Sequence, residues 1–484
     1  MSHPDPNRKL EPESTESRPS PAGPARFSRS AQMGERPIGR LLWSFSLPAL
    51  VGMGVQATYN IVDTAFVGRL GHEAIAALTL VWPVQLVMLA LSVGVGVGAN
   101  SLIARRLGAG DEREANHAGA QAFVVALLSA LAMMFVLLTW TDPVLRLVGA
   151  RPDTLPLARV YMRTIVWFAP LVFFPMVANN LIRAEGNPVR SMVVMVISAL
   201  TNVVLDPLFI FGFGPIPALG VQGAAIATVI ASGVAFVLYA AYFAGPKSGY
   251  HFRPRDFWPS PRLWGRIYAV GAPAMTIQLS GSVVATVANG IIAGFGSMPL
   301  AAYGVAFRLF AFAFMPCIGI SQGVLPLAGY NFGAGRLDRV REVVVKGALA
   351  AGAITTGFSL LFIAFPGVFV SIFNREPGFL RLAAHGLRIA SLGFAPVGIA
   401  VVLTAFFQAI GRAVPAMLLS LARQFIFYLP ALVLLARLFG VEGFWFAIPV
   451  SDLLATAASI AWTALMFRRL GIPFLGRTAD FTRS

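Results

Sequence analysis

The chain has 484 residues, of which 57% are hydrophobic and only 12% charged, with a mean hydropathy of +0.74. No ordinary soluble domain has that composition. Apolar stretches of about 20 residues recur along the whole length, which predicts a polytopic helical membrane protein and argues against a membrane barrel of ~10-residue alternating strands. The net charge is +16, but the Lys and Arg residues fall mostly between the hydrophobic runs. They therefore read as topology signals and contacts for anionic lipid headgroups, and no nucleic-acid partner is expected. The single cysteine, Cys317, excludes an internal disulfide and a cysteine-rich metal site.

Residues 1–40 are rich in Pro, Ser, Glu and Arg and lack an apolar core, so they are expected to be a disordered cytosolic tail rather than a signal peptide. Twelve spans follow, at about 41–67, 75–100, 117–140, 161–182, 191–214, 221–244, 265–294, 301–328, 343–370, 387–410, 415–438 and 442–467. Arginines cluster after the even-numbered spans: Arg105, Arg106 and Arg113 after the second, Arg183 and Arg190 around the turn after the fourth, Arg253, Arg255, Arg262 and Arg266 after the sixth, Arg336, Arg339 and Arg341 after the eighth. That bias puts both termini in the cytosol, although Arg146, Arg151, Arg159, Arg375 and Arg381 lie on the other side.

The chain reads as an internal duplication. Pro48 matches Pro273, Leu-Gly-Ala-Gly at 107–110 matches Phe-Gly-Ala-Gly at 332–335, and Ala184 and Gly186 match Ala409 and Gly411, each pair at one common offset. Gly-Val-Gln-Gly at 220–223 recurs as Gly-Val-Glu-Gly at 440–443, after a shorter loop. Six spans per half means that both halves enter from the same side, so two parallel repeats are predicted, an architecture in which transporters place substrate within or between repeats. The domain reading is an N-terminal lobe at 41–245, a basic cytosolic linker at 246–264, a C-terminal lobe at 265–468 and a cytosolic tail at 469–484.

The two halves differ in their polar residues. Under the repeat offset Asp63 becomes Ala288, Asp206 becomes Ala431, Asn202 becomes Phe427 and Tyr59 becomes Val284. Gln56, Tyr59, Asn60 and Asp63 fall on one face of the first span, and Ser198, Asn202 and Asp206 fall on one face of the fifth. Counted from Pro48 and Ser191, both aspartates lie roughly 22 Å deep at ~1.5 Å per residue. An aspartate in hydrocarbon costs roughly 2.5–3.5 kcal/mol on insertion scales, so two at similar depth predict a shared pocket for a proton, a cation or a substrate. Other readings stand beside this one: Asp206-Pro207 as a helix-end device, and Asp63 as an interfacial residue ending its span before Gly68, Arg69 and Gly71. Asp452, without a repeat partner, is expected to pair with Arg423 or Lys346 or to join the pathway. Asn179 and Asn180 read equally as capping residues, and Thr228 as a backbone-bonding threonine. Gly94, Gly96 and Gly98 predict close packing or a flexible point, and Pro48, Pro170, Pro175, Pro273 and Pro396 predict kinks. No P-loop, paired-histidine or aspartate-rich diphosphate motif is present, so neither an enzyme nor a bound cofactor is expected.

Asn60-Ile-Val-Asp63-Thr-Ala-Phe-Val-Gly68-Arg-Leu-Gly71, Leu107-Gly-Ala-Gly110, Arg183-Ala-Glu-Gly-Asn-Pro188 and Asn202-Val-Val-Leu-Asp206-Pro207 resemble, in order, the motifs of the multidrug and toxic compound extrusion (MATE) family, over about residues 38 to 470. The acids on spans 1 and 5, with none on spans 7 and 10, resemble its DinF-like branch. The resemblance implies a V-shaped all-α fold of twelve transmembrane helices, a monomer in a bacterial inner membrane. It implies export of organic cations and amphipathic drugs in exchange for H⁺, with Na⁺ as the other ion. By position it assigns Asp63 and Asp206 to cation coupling, Gln56, Tyr59, Asn60, Asn202, Asn180 and Thr228 to the substrate or site network, and Pro48 to a helix bend. A lipid-linked oligosaccharide flippase of the same superfamily is the alternative, disfavoured because the intramembrane positions are acids and amides rather than arginines. A channel fits the duplication poorly.

Overall fold

A computed structural model describes residues 27–215 and 217–472. The first half contains α1 (Ser28–Glu35), α2 (Ile38–Gly68), α3 (His72–Gly108), α4 (Glu112–Thr139), α5 (Thr141–Leu147), α6 (Leu155–Trp167), α7 (Ala169–Ala184), α8 (Pro188–Phe211) and α9 (Val221–Ala244). The second half contains α10 (Pro261–Ala293), α11 (Ser297–Gly333), α12 (Leu337–Ala364), α13 (Pro366–Ser371), α14 (Pro377–Ser391), α15 (Val397–Ala409), α16 (Ala413–Leu421), a π-helical stretch at Ala422–Tyr428, and α17 (Leu429–Arg469). Among the described residues these helices make twelve crossings. Two are broken at prolines where the sequence predicts kinks, Pro170 and Pro396. The fourth is the pair α6–α7, bent by 56° at Phe168, just ahead of Pro170, whose ring cannot continue the hydrogen-bond ladder. The tenth is α14 followed by α15, broken ahead of Pro396. The run Ala413–Arg469 holds the last two crossings, separated at Gly440.

The repeats share backbone geometry as well as letters. Gly220 has φ 56° and ψ −131°, and Gly440 has φ 62° and ψ −137°. Both positions lie in the left-handed region that only glycine enters at little cost, and each starts the last helix of its half. Three residues on, a Cβ on Gly223 would lie 2.2 Å from the Phe209 carbonyl oxygen, and one on Gly443 would lie 1.9 Å from that of Leu435.

The halves meet at the end of the molecule that carries the arginine clusters. There α3 packs on α10 and α11, and α2 packs on α11. Glycines permit the approach: Gly94 faces Gly271, Gly98 faces the Ile267 carbonyl, and Gly319 and Gly323 face Leu50, Ser46 and Phe45. Beyond this zone the same helices part. A side chain placed at Gly54, Gly281, Gly290 or Gly304 would meet nothing within 4 Å, and Ile61, Val283 and Phe307 are exposed. The result is a V, closed at the basic end.

The polar amino-terminal segment differs from the expected disordered tail. Residues 1–26 lie outside the described residues, but Ser28–Glu35 form α1, and α1 bridges the halves. Phe27 packs on Tyr250 with ring centroids 5.2 Å apart. At the other end Arg336 donates to the Gly34 carbonyl (2.6 Å), and Arg339 to those of Met33 (3.2 Å) and Arg36 (2.7 Å). These backbone acceptors, together with buried Met33, order a segment whose composition alone does not predict a helix. At the carboxyl end α17 runs to Arg469, and residues 473–484 lie outside the described residues.

The connection between the halves is pinned by Glu185, just beyond α7. It accepts from the Tyr242 hydroxyl and from the Gly249 N–H (3.2 Å). Burial pushes its carboxyl from 4.5 up to about 7, against the lowering effect of those two donors. The folded protein therefore holds a proton that the unfolded chain releases above 4.5. The stabilisation is full below that pH and is lost as pH rises through about 7. Glu185→Gln is expected to flatten the pH dependence of Tm across this window, read by thermal unfolding of the detergent-purified protein.

Candidate functional site

The site is built on two neighbouring helices of the first half, α2 and α8. Asp206 is completely buried, while Asp63 is partly exposed. Helix α8 continues past Pro207 to Phe211, so Asp206 is an interior residue and not a helix-end device. Likewise α2 continues five residues past Asp63 to Gly68. Asp63 Oδ1 is buried with no hydrogen-bond partner. An orphaned carboxylate oxygen inside a membrane protein is costly, and it leaves a lone pair free for a proton or a cation.

Around Asp206 the network is explicit. The Asn202 amide is best satisfied with its nitrogen donating to Asp206 Oδ2 (3.1 Å) and its oxygen accepting from the Thr228 N–H (3.2 Å). The Thr228 hydroxyl returns to the Ala224 carbonyl at 3.1 Å, which fixes its rotamer. One helical turn earlier, Ser198 ties α8 to the Ala231 carbonyl of α9 at 2.8 Å. The two carboxylates lie within electrostatic reach of each other. Tyr59 hydrogen-bonds to Gln56 and feels both carboxylates.

Of the residues expected from sequence, the structure groups Gln56, Tyr59, Asp63, Asn202, Asp206 and Thr228. Asn60 is exposed on the same helix, where its carbonyl accepts from Thr64 (2.8 Å). Asn180 sits in a different polar knot. Its side chain accepts from buried Arg183 (2.9 Å) and presses on Gly96, and its carbonyl accepts from Asn100 (3.1 Å). Asn179 donates to Tyr239 at 3.2 Å. Pro48 is buried within α2, which runs as one helix through it. One further residue joins the site: Tyr161 of α6, buried, bonded to Gln85 and within electrostatic reach of Asp63, Asp206 and Tyr59. A lone tyrosine in an apolar span reads as core, and only the packing of α6 brings it here.

The second half has its own buried acid. Asp452 pairs with Arg423 at 2.8 Å and not with Lys346, which pairs with Glu342. Arg423 sits in the π-helical stretch Ala422–Tyr428. There it reaches α17, while the adjacent Gln424 donates to Ser280 of α10 at 2.9 Å. Such a stretch shifts side-chain register within a helix, so neighbouring residues clamp it to two different helices. Arg423→Ala leaves a buried carboxylate unpaired and is expected to lower stability by about 2 kcal/mol, while adding Asp452→Asn restores most of it. Thermal unfolding of both variants checks this; equal loss in the two would mean that the unpaired Asp452 charge is not what costs stability.

Among the described residues no group of three or more His, Cys, Asp or Glu side chains could hold a metal. The arrangement at Asp63 and Asp206 instead offers carboxylate oxygens, with the Asn202 amide nitrogen donating to one of them, a set suited to a proton or a hard monovalent cation.

Comparison with known proteins gives a consistent result. The family model described as MatE matches twice, at residues 48–208 and 273–434, starting at the two equivalent prolines. The FAD transporter of Shewanella oneidensis is 30% identical over 457 residues, covering 92% of this chain and 97% of that protein. The multidrug export protein MepA of Staphylococcus aureus is 27% identical, covering 90% and 96%. A solved outward-facing conformation of a multidrug resistance MATE family transporter of the MOP superfamily superposes with TM-score 0.85 at 25% identity, covering 92% of this chain and 99% of that one. With both halves of the chain matched and relatives that cover at least 90% of it, the protein belongs to the MatE family of multidrug-efflux transporters: a multi-pass membrane protein and secondary transporter, not an enzyme.

Proposed function

We propose that the protein is a cation-coupled antiporter of the bacterial inner membrane, with both termini in the cytosol, and that it exports organic cations and amphipathic drugs in exchange for H⁺, with Na⁺ as the alternative ion. The observation that carries the reading is the carboxylate pair within the membrane-spanning part of one half, with Asp63 Oδ1 buried and unbonded. The acids lie on α2 and α8, with none on α10, α14 or α15, the distribution of the DinF-like branch. With the basic end in the cytosol, the V opens outward and exposes Asp63 to the external solution. A proton or cation loaded there neutralises the pair and weakens the pull of Asp206 on Asn202. An amphipathic cation held by the same charges then loses its counter-charge and leaves. The ion drives the change only to the extent that it binds the two conformations differently. The lobes 41–245 and 265–468, joined by 246–264, move as the two bodies of that cycle.

A second reading has specific support: the relative that is 30% identical is named an FAD transporter, so a flavin dinucleotide is a candidate substrate. Ethidium efflux from a pump-deficient host, with flavin in the medium measured in the same cells, separates the two. Ethidium export that collapses with a protonophore supports the drug/H⁺ reading, and export that follows external Na⁺ reassigns the ion. Flavin accumulation without ethidium export would replace the substrate class.

A further inference from the structure

A groove of about 390 Å³ opens at the basic end between the start of α8 and the end of α9. Arg29 from α1, Arg190 from α8 and Lys247 from the connecting segment form its rim. All three are exposed, and among the described residues none forms an ion pair with an acidic side chain. The two arginines gather around Tyr242, whose hydroxyl also donates to the Lys247 carbonyl (3.4 Å). Arg190 lies 5.7 Å from the ring centroid, the Arg29 guanidinium reaches the hydroxyl at 3.5 Å, and Asn187 donates to the hydroxyl at 3.0 Å. Among the described residues the one nearby carboxylate, Glu185, is 3% exposed beneath the tyrosine and already holds the Tyr242 O–H and the Gly249 N–H. Three cations thus line one groove, and among the described residues no acidic side chain at the surface pairs with them. The floor is different in character: Val189, Val193 and Ala241 continue the groove along the outer faces of α8 and α9.

We propose that this groove is a binding site for an anionic phospholipid, with the phosphate held by Arg29, Arg190 and Lys247 and the acyl chains lying on Val189, Val193 and Ala241. A phosphate diester matches the uncompensated positive rim, and the apolar floor leading into the lipid-facing surface favours a lipid over a free anion. Basic pockets at the ends of membrane helices take such headgroups, and each cation contributes about 1 kcal/mol. Because Arg29 belongs to the helix that bridges the two halves, an occupied groove also anchors that bridge. The assignment is independent of which substrate is exported.

The test uses the full chain in phosphatidylcholine nanodiscs, titrated with fluorescent phosphatidylglycerol. Arg190→Ala with Lys247→Ala is expected to weaken binding roughly thirtyfold, from ~1 kcal/mol per cation removed. Arg255→Ala with Arg262→Ala removes two exposed cations elsewhere on the chain and is expected to leave binding within about twofold of wild type. Arg190→Gln alone, which keeps a polar side chain over Tyr242, is expected to weaken binding by roughly fivefold and covers the case in which the double variant does not fold. Equal affinity in all variants, or equal loss in both double variants, overturns the site in favour of general surface charge. Competition by millimolar inorganic phosphate as effective as that by phosphatidylglycerol overturns the lipid in favour of a free anion.

Discussion

In a pump-deficient host, Asp63→Asn is expected to reduce protonophore-sensitive ethidium efflux to that of cells lacking the protein, while the purified variant unfolds at the same temperature as wild type or higher. The argument is electrostatic. Asp63 carries a buried oxygen that no group in the protein satisfies, and an unpaired carboxylate in that setting is a cost to folding. The amide has the same shape without the charge, so the fold loses nothing by the exchange. What disappears is the ability to take up and release a proton or to ligate a cation with a full negative charge. Asp206→Asn is expected to give the same loss of coupling with a different structural signature. Its carboxylate already receives the Asn202 amide, so the exchange places two amides in contact and weakens that bond by about 1 kcal/mol. Coupled efflux retained at full rate in Asp63→Asn would rule out this residue as the coupling site.

The legibility of this site in the sequence followed from what each signal depends on. Asp63 and Asp206 were readable because a charge inside an apolar run is visible in one dimension, and because steps of three and four place neighbours on one face. Asn202 and Thr228 followed from spacing and resemblance. Tyr161 and Gln85 did not, because their proximity depends on how α6 and α3 pack. Asn180 carried the right chemistry at a comparable position, yet its side chain pairs one turn along α7 with Arg183 and lies against Gly96. Helix α1 was hidden for a different reason. Its residues are polar, and its order comes from arginines and an asparagine some 300 positions away that bond its carbonyls. The π-helical stretch has no periodicity signature either. The duplication, in contrast, is legible in four matched fragments, and the structure extends it to matched backbone angles at Gly220 and Gly440.

The same duplication underlies the other large effect. Gly108 and Gly333 occupy equivalent positions, and each packs on the other half: a Cβ on Gly108 would lie 1.9 Å from the Tyr330 carbonyl oxygen, and one on Gly333 would lie 1.9 Å from that of Arg105. Both obstacles are backbone, so no rotamer change relieves them, and contact at normal van der Waals distance requires the halves to separate at the basic end. Gly333→Ala is therefore expected to destabilise the closed basic end by about 3 kcal/mol, the upper part of the range for overpacking. That corresponds to a shift of roughly 150-fold in the equilibrium between closed and open forms at that end. Gly108→Ala is expected to act equally. Gly110→Ala is the control: it lies in the turn just beyond, with φ +76° and nothing within 4 Å, and is expected to cost about 1 kcal/mol in backbone strain without separating the halves. The readout is maleimide labelling of Leu42→Cys, in a background where Cys317 is replaced by Ser. Leu42 is 6% exposed on the face of α2 that meets the second half, so its labelling reports opening there. Faster labelling in Gly333→Ala and Gly108→Ala, with the Gly110→Ala rate unchanged, means that these two glycines hold the V shut. Unchanged labelling in all three would mean that the contact can yield without opening, and that α1 and the α3–α10 packing suffice to close that end.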